Sequence, residues 1–217
     1  MDSKIKTCVA VLNLEKQSKK LTGSRLRGFA GYFFLEDPEF HHHGENPYHY
    51  PLIQYKIIDK KPVIVGIQEY ADILMKKVSG MEIITLPGFT AKVCDVDLRI
   101  IVTELKAERT FYEFLTPWIA LNEKNYKTYK EAGANDKKIL LEKILIGNVL
   151  SALKGMGIFI DQKLSAELID HREVPVKAHN NFFKGFKGNF ALNILLPDMI
   201  GLGKSVSKGF GTIRRIR

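Results

Sequence analysis

From Gly201 onward the chain reads Gly201-Leu202-Gly203-Lys204-Ser205-Val206-Ser207-Lys208-Gly209-Phe210-Gly211, then Thr212-Ile213-Arg214-Arg215-Ile216-Arg217. Glycine at 201, 203, 209 and 211 rules out a continuous helix here, because glycine loses more backbone freedom on ordering than any other residue. Such a segment suits a loop whose main chain approaches another group closely, reaches positive φ and turns N–H groups onto an anion. Lys204, Lys208, Arg214 and Arg215 add long-range attraction for phosphate.

Two nucleotide-binding readings fail on spacing. A Walker P-loop requires Gly, four residues, then Gly-Lys-Ser/Thr. Gly203-Lys204-Ser205 supplies the second half, but Asp198 stands where the first glycine belongs. The dinucleotide fingerprint fails as well, since Val206 occupies the place of its third glycine.

The net charge of +9 is concentrated toward the C-terminus. Residues 171–217 carry nine Lys/Arg against Glu173 and Asp198, which is seven of the nine net charges. Phe182, Phe183, Phe186, Phe190 and Phe210 are interleaved with them. Localised basicity with aromatics is the footprint of a nucleic-acid surface. An ordinary solvated basic face is the competing reading.

At 217 residues and 45% hydrophobic content, the chain can bury one large core or two small ones. Cys8 and Cys94 lie in apolar, strand-like runs without metal-site spacing, so both are expected as buried, reduced thiols. No run approaches the roughly 20 apolar residues that span a bilayer, and Met1-Asp2-Ser3-Lys4-Ile5-Lys6 lacks the apolar stretch of a signal peptide. The expectation is a cytoplasmic protein with no membrane partner and no cofactor.

Periodicity gives the organisation. A strand is expected over Lys6–Leu14. A helix capped by Thr22 or Ser24 follows, with Leu26, Phe29, Ala30 and Phe33 at helical spacing. Glu36 to Tyr50 reads as a polar, histidine-rich loop. Strands over Leu52–Ile58 and Val63–Ile67 are joined by Asp59-Lys60-Lys61-Pro62. A helix over Gln68–Val78 precedes a strand over Met81–Leu86. Strand–helix–strand–strand–helix–strand is the ferredoxin-like order. Extended stretches between Cys94 and Phe114 are expected to open a second α+β unit, with the boundary between Val96 and Arg109. That unit holds a polar stretch over Asn122–Gly133, an apolar core helix over Lys137–Leu153, and strands over Ile158–Ile169, Asn181–Leu196 and Phe210–Ile216. Trp118, after Pro117, is expected in the core.

These features resemble those of a CRISPR repeat-RNA processing endoribonuclease, the Cas-six type of the RAMP superfamily, in its type I-B-like branch. The resemblance runs from about Leu26 to the C-terminus in consistent order. It is carried by Leu26-Arg27-Gly28-Phe29, His41-His42-His43-Gly44 and Tyr48-His49-Tyr50-Pro51-Leu52-Ile53-Gln54-Tyr55-Lys56. Phe114 to Asn122, Lys143 to Asn148, and the terminal Gly201-Leu202-Gly203 with Gly209-Phe210-Gly211 continue it.

The resemblance implies an α+β fold of two tandem ferredoxin-like (RRM-like) domains packed together, residues 1–100 with the histidine loop and 101–217 with the glycine-rich loop. It also implies metal-independent cleavage of CRISPR repeat RNA by attack of a 2′-OH on the adjacent phosphate. Other CRISPR interference-complex proteins and a second copy of the chain are further candidate partners.

That reaction needs a base, an acid and donors for the charged phosphorane. Histidine suits both proton steps, since its unperturbed pKa of about 6.5 keeps both forms available near neutrality. His43 and His41 coincide with the histidines of the family's loop motif and Tyr50 with its tyrosine. His43 and then His41 are the catalytic candidates, with Tyr50 as a donor positioning the 2′-OH or phosphate. Three successive histidines near Glu45 also admit a metal site or a solvated loop. His49, His171 and His179 read as structural or surface residues.

Arg25 and Arg27 are candidate phosphate ligands through their planar forks. Lys56 is less favoured, because strand alternation can turn it to solvent. Gly201, Gly203, Lys204, Ser205, Ser207, Lys208, Gly209, Phe210 and Gly211 are RNA-binding candidates by position, and Phe210 also fits a core role. Two rivals stand beside catalysis. One is a non-catalytic RNA-binding RAMP subunit, since Lys208-Gly209-Phe210-Gly211-Thr212-Ile213 repeats the opening of an RNA-recognition signature. The other is a DNA-binding repair factor, indifferent to a 2′-OH.

Overall fold

β1 (Lys4–Leu14) runs through the middle of the first sheet, with Cys8, Val9 and Ala10 all buried. The structure, a computed structural model, describes residues 4–34, 49–178 and 181–216. The His41 and His43 expectations therefore lie outside the described residues.

Thr22 caps α1 (Gly23–Phe33), its hydroxyl accepting from the Arg25 N–H at 3.2 Å, an interaction typically worth about 1 kcal/mol. Leu26 and Ala30 are buried on the core side of α1, and Phe34 is buried just beyond it. β2 (Ile53–Ile58) and β3 (Lys61–Ile67) form a hairpin whose turn is Asp59-Lys60 alone, both left-handed at φ 48° and 64°. That is the twist-matched two-residue turn. Pro62, expected in the turn, instead lies opposite Ile57 within the hairpin. Ile58 opposite Lys61 closes the turn, so Ile57–Pro62 is the next, non-hydrogen-bonded pair, which requires no N–H from proline.

α2 (Glu69–Val78) buries Ala71, Leu74 and Val78 and carries Glu69 and Asp72 in its first turn and Lys76 and Lys77 in its last, matching the helix dipole at both ends. β4 (Ile83–Leu86) folds back antiparallel onto β5 (Phe89–Glu104). The sheet order is β2-β3-β1-β5-β4, the ferredoxin arrangement with β5 in the fourth-strand place and β4 added outside it. The extended region after Cys94, expected to open the second unit, begins as the remainder of this 16-residue β5. Cys94 is exposed and Cys8 buried, which corrects the expectation of two buried thiols.

The chain divides into two units, Lys4–Thr103 with Ser207–Gly209, and Glu104–Val206 with Phe210–Arg217. The second contains β6 (Thr110–Phe114), α3 (Glu123–Glu131), α4 (Ala134–Gly155), β7 (Ala166–Ala178), β8 (Asn181–Leu192) and β9 (Ile213–Arg215). Its sheet order β7-β8-β6-β9 is again ferredoxin-like, with residues 193–212 in place of the second helix. Trp118 is fully buried, stacked on Phe114 at 5.2 Å and donating from Nε1 to Asn148 Oδ1 at 2.9 Å. α4 supplies Leu141, Leu145 and Val149 to the same core.

The polar stretch after Leu121 is α3, capped by the Asn122 side chain and burying only Tyr129. Residues 158–165 form no strand. β7 extends instead through the charged segment beyond Asp170, where its pairing with β8 continues past a register shift between Leu168 and Asp170. No helix of the described residues is long and apolar enough to cross a membrane.

Candidate nucleic-acid interface

The terminal glycine segment is a stem and a turn. In the stem, the Leu202 N–H donates to the Gly211 carbonyl at 2.9 Å, and Gly201 bridges Thr212. The Lys204 N–H donates to the Ile119 carbonyl and the Gly211 N–H to the Pro117 carbonyl. The turn, Val206–Lys208 in 3₁₀ form followed by Gly209, brings Ser207, Lys208 and Gly209 into the first unit.

Gly209 has φ 90°, and a Cβ there would lie 2.7 Å from the Tyr55 carbonyl oxygen and 3.0 Å from Lys56 Cα. Gly23, at the start of α1, meets the same turn, since its Cβ would fall 2.1 Å from the Lys208 carbonyl oxygen. Cβ atoms on Gly203 and Gly211 would collide with Trp118 and with the Leu202 carbonyl. These glycines allow close approach, as their composition suggested. The approach is to protein.

Two cations meet at this turn. Arg27 Nη1 donates to Ser207 Oγ at 3.2 Å, and no carboxylate pairs with Arg27 among the described residues. Partial burial, and behind it the charge of Arg27, hold the Lys208 pKa below its usual value. Two like charges brought together are stabilised by an anion bound at both. The Tyr55 hydroxyl is buried with no hydrogen-bond partner among the described residues. Burial raises its pKa and the Arg27 charge opposes the rise.

Gln54 and Lys56 alternate with Ile53 and Tyr55 along β2 and so lie on its other face. Lys56 has no exposed surface, opposite to the expectation of a solvent-facing lysine. Burial alone lowers its pKa to about 7. Its Nζ donates to Gln54 Oε1 at 2.8 Å, while Gln54 Nε2 donates to Tyr50 Oη at 2.9 Å and to the Pro51 carbonyl at 3.0 Å. Tyr50, a sequence candidate, is thus the described end of a polar chain that sequence reasoning did not assemble. One signal was legible: a glutamine and a lysine inside the apolar run Ile53-Gln54-Tyr55-Lys56-Ile57-Ile58.

The other candidates are distributed differently. Arg25 is exposed and turns its Nη1 to the Lys20 carbonyl at 3.3 Å, not to the Ser207 turn. Gly201, Gly203, Lys204, Ser205, Phe210 and Gly211 belong to the second unit. Phe210 is half-buried against Ile119 and Val176, so packing accounts for it. Lys204 lines a cleft of about 690 Å³ with Tyr126, Val174, Phe182 and Phe183. His49 is exposed. Among the described residues no group of three or more His, Cys, Asp or Glu could hold a metal ion.

Two ferredoxin-like units in tandem, with a cationic, glycine-rich loop closing the chain, define a protein of the Cas6 type. The chain belongs to the Cas6b family: residues 3–104 match the Cas6b N-terminal domain and residues 104–216 the Cas6b C-terminal domain. A crystal structure of Cas6b is similar at a TM-score of 0.86 and 33% identity, covering 100% of both chains. Another, of the CRISPR RNA processing endoribonuclease Cas6b, gives 0.75 and 32% identity, covering 99% of this chain and 100% of that one. An uncharacterized protein of Methanocaldococcus jannaschii is 49% identical over 105 residues, 48% of this chain and 71% of its own length.

Proposed function

We propose that the protein is an endoribonuclease that cuts CRISPR precursor RNA within its repeats without a metal ion. In the proposed reaction a histidine of the 41–43 run takes the proton of a ribose 2′-OH. The 2′-oxygen bonds to the adjacent phosphorus, the bond to the 5′-oxygen breaks, and a second group returns a proton to that oxygen. The products are a 2′,3′-cyclic phosphate and a 5′-OH. His43 and His41 are assigned the proton transfers, each step of this kind contributing about 10²–10⁴-fold. Tyr50 is assigned as a donor to the reacting group.

The observation that carries this reading is the meeting of Arg27 and Lys208 at the Ser207 hydroxyl. It offers a phosphate chain two cations and a hydroxyl, Arg27 from α1 and Ser207 and Lys208 from the turn. The similarity to a solved CRISPR RNA processing endoribonuclease supports the same reading.

The test is incubation with end-labelled CRISPR repeat RNA in EDTA, beside the same RNA with a single 2′-deoxy at the cut. Cleavage of the first alone, leaving a cyclic phosphate, is expected. Cleavage of both RNAs, or dependence on added metal, would refute the 2′-OH mechanism. Tight binding without cleavage would make the protein an RNA-binding subunit instead.

A further inference from the structure

We propose that Gln54 and Lys56 are positioning residues that fix the polarity of Tyr50, forcing its hydroxyl to act as a hydrogen-bond donor at the cleavage site. The inference rests on the RNA-processing reading for its consequence, but its geometry stands on Tyr50, Pro51, Gln54 and Lys56.

A lysine without exposed surface is a costly choice for an edge strand, where an aliphatic residue would bury at a gain. An ammonium has three donors and no acceptor. When protonated, Lys56 Nζ therefore requires the carbonyl end of Gln54, and the 2.8 Å contact to Oε1 meets that requirement. The other end of the amide is fixed independently. The Pro51 carbonyl only accepts, so the nitrogen of Gln54 must face it, at 3.0 Å. Amide orientation is ordinarily assigned from its surroundings, and here both ends agree.

The consequence falls on Tyr50. With the Gln54 nitrogen 2.9 Å away, the phenolic oxygen accepts from Gln54 and cannot spend its one hydrogen there. That hydrogen is directed to another group. A phenol held as a donor can stabilise a non-bridging oxygen of the phosphorane, or hold the 2′-oxygen in line. With its hydrogen spent on residue 54 it could not donate to the phosphorane oxygen. Removing a donor of this kind from a developing oxyanion typically costs about 10²–10³-fold in rate.

Gln54→Glu separates this proposal from a packing role. The substitution is isosteric, and the carboxylate retains an acceptor for the Lys56 ammonium. Its second oxygen cannot donate, so Tyr50 turns its own hydrogen inward and ceases to be a donor to substrate. Under single-turnover, saturating conditions, Gln54→Glu is expected to slow cleavage by about 10²-fold, close to the effect of Tyr50→Phe. RNA affinity should remain within about twofold. Adding Tyr50→Phe to Gln54→Glu should cost nothing further, because the two changes remove one shared function. An unchanged rate in Gln54→Glu, or losses that multiply in the double variant, would overturn the proposal.

A second readout needs no RNA. In protein labelled at tyrosine Cζ, the Tyr50 carbon resonance should shift between wild type and Gln54→Glu as the hydroxyl changes from acceptor to donor toward residue 54. Equal resonances in the two folded proteins overturn the polarity argument. If wild type cleaves no repeat RNA while the Tyr50 resonance shifts as expected, the processing reading fails and the positioning pair stands.

Discussion

The Arg27 guanidinium and the Ser207 hydroxyl, 3.2 Å apart, join the first helix to a turn 180 residues later in the chain. Lys208 stands beside them, its pKa lowered partly by Arg27 itself. Cations that raise each other's energy in the free protein gain most from a shared phosphate.

Arg27→Ala and Lys208→Ala should therefore each weaken repeat-RNA binding and lower the slope of log K against log salt by about one. Arg25→Ala, whose side chain turns to the Lys20 carbonyl, should change the slope less. Filter-binding titrations across a salt series make the comparison. Equal slopes for Arg25→Ala and Arg27→Ala would remove the special role of the Ser207 turn.

Gly209→Ala should destabilise the protein by more than about 2 kcal/mol, because a left-handed φ and a clash with the Tyr55 carbonyl act together. Gly28→Ala is the control. Position 28 lies inside α1 with nothing within 4 Å of an added Cβ, and alanine there should stabilise by roughly 0.4–1 kcal/mol. Urea denaturation of the two variants should move the midpoint in opposite directions.

The difference between those two glycines marks what the sequence could convey. Much of the first unit was legible because its signals are local, as in the Thr22 cap and the helical repeat of Leu26 and Ala30, whereas the two-residue turn at Asp59-Lys60 and the length of β5 were not. The terminal glycines announced a close approach, read from the sequence as one to phosphate, but at Gly209 the group approached is the Tyr55 carbonyl. Likewise, alternation placed Gln54 and Lys56 on one face of β2 without showing that this face is covered. Its covering includes Gly209, from the far end of the chain. α3 was illegible as a helix because Tyr129 is its only buried residue, leaving almost no apolar period to read. β5 continued past Cys94 because strand pairing, not apolar content, sustains Asp95, Asp97 and Arg99.

The two cysteines should separate in a thiol assay. Cys94 is exposed, whereas Cys8 is buried and its thiol pKa is pushed up, first by burial and then by the Asp72 carboxylate. Reaction needs an accessible thiolate. With an aromatic disulfide reagent, one thiol of the folded protein should react promptly and the second only after denaturant is added. Two fast thiols would place Cys8 in a segment that opens readily.

Lys56 gives the stability curve a direction. Its ammonium is favoured in the unfolded chain up to the ordinary lysine value of 10.5, but burial lowers the folded value to about 7. Between these limits the unfolded state binds the extra proton, so the Lys56 contribution to stability rises with pH. Below about pH 7 both states hold the proton, and the cost of the buried charge is present in full. Lys56→Met removes this linkage while leaving other titrations in place. The stability of wild type relative to Lys56→Met should therefore be flat below pH 7. It should then move in favour of wild type by roughly 1 kcal/mol per pH unit above it. Parallel urea titrations from pH 6 to pH 9 measure that difference. A gap that stays constant across the range would mean that Lys56 keeps its proton in the folded protein, held by the Gln54 carbonyl more strongly than burial opposes it.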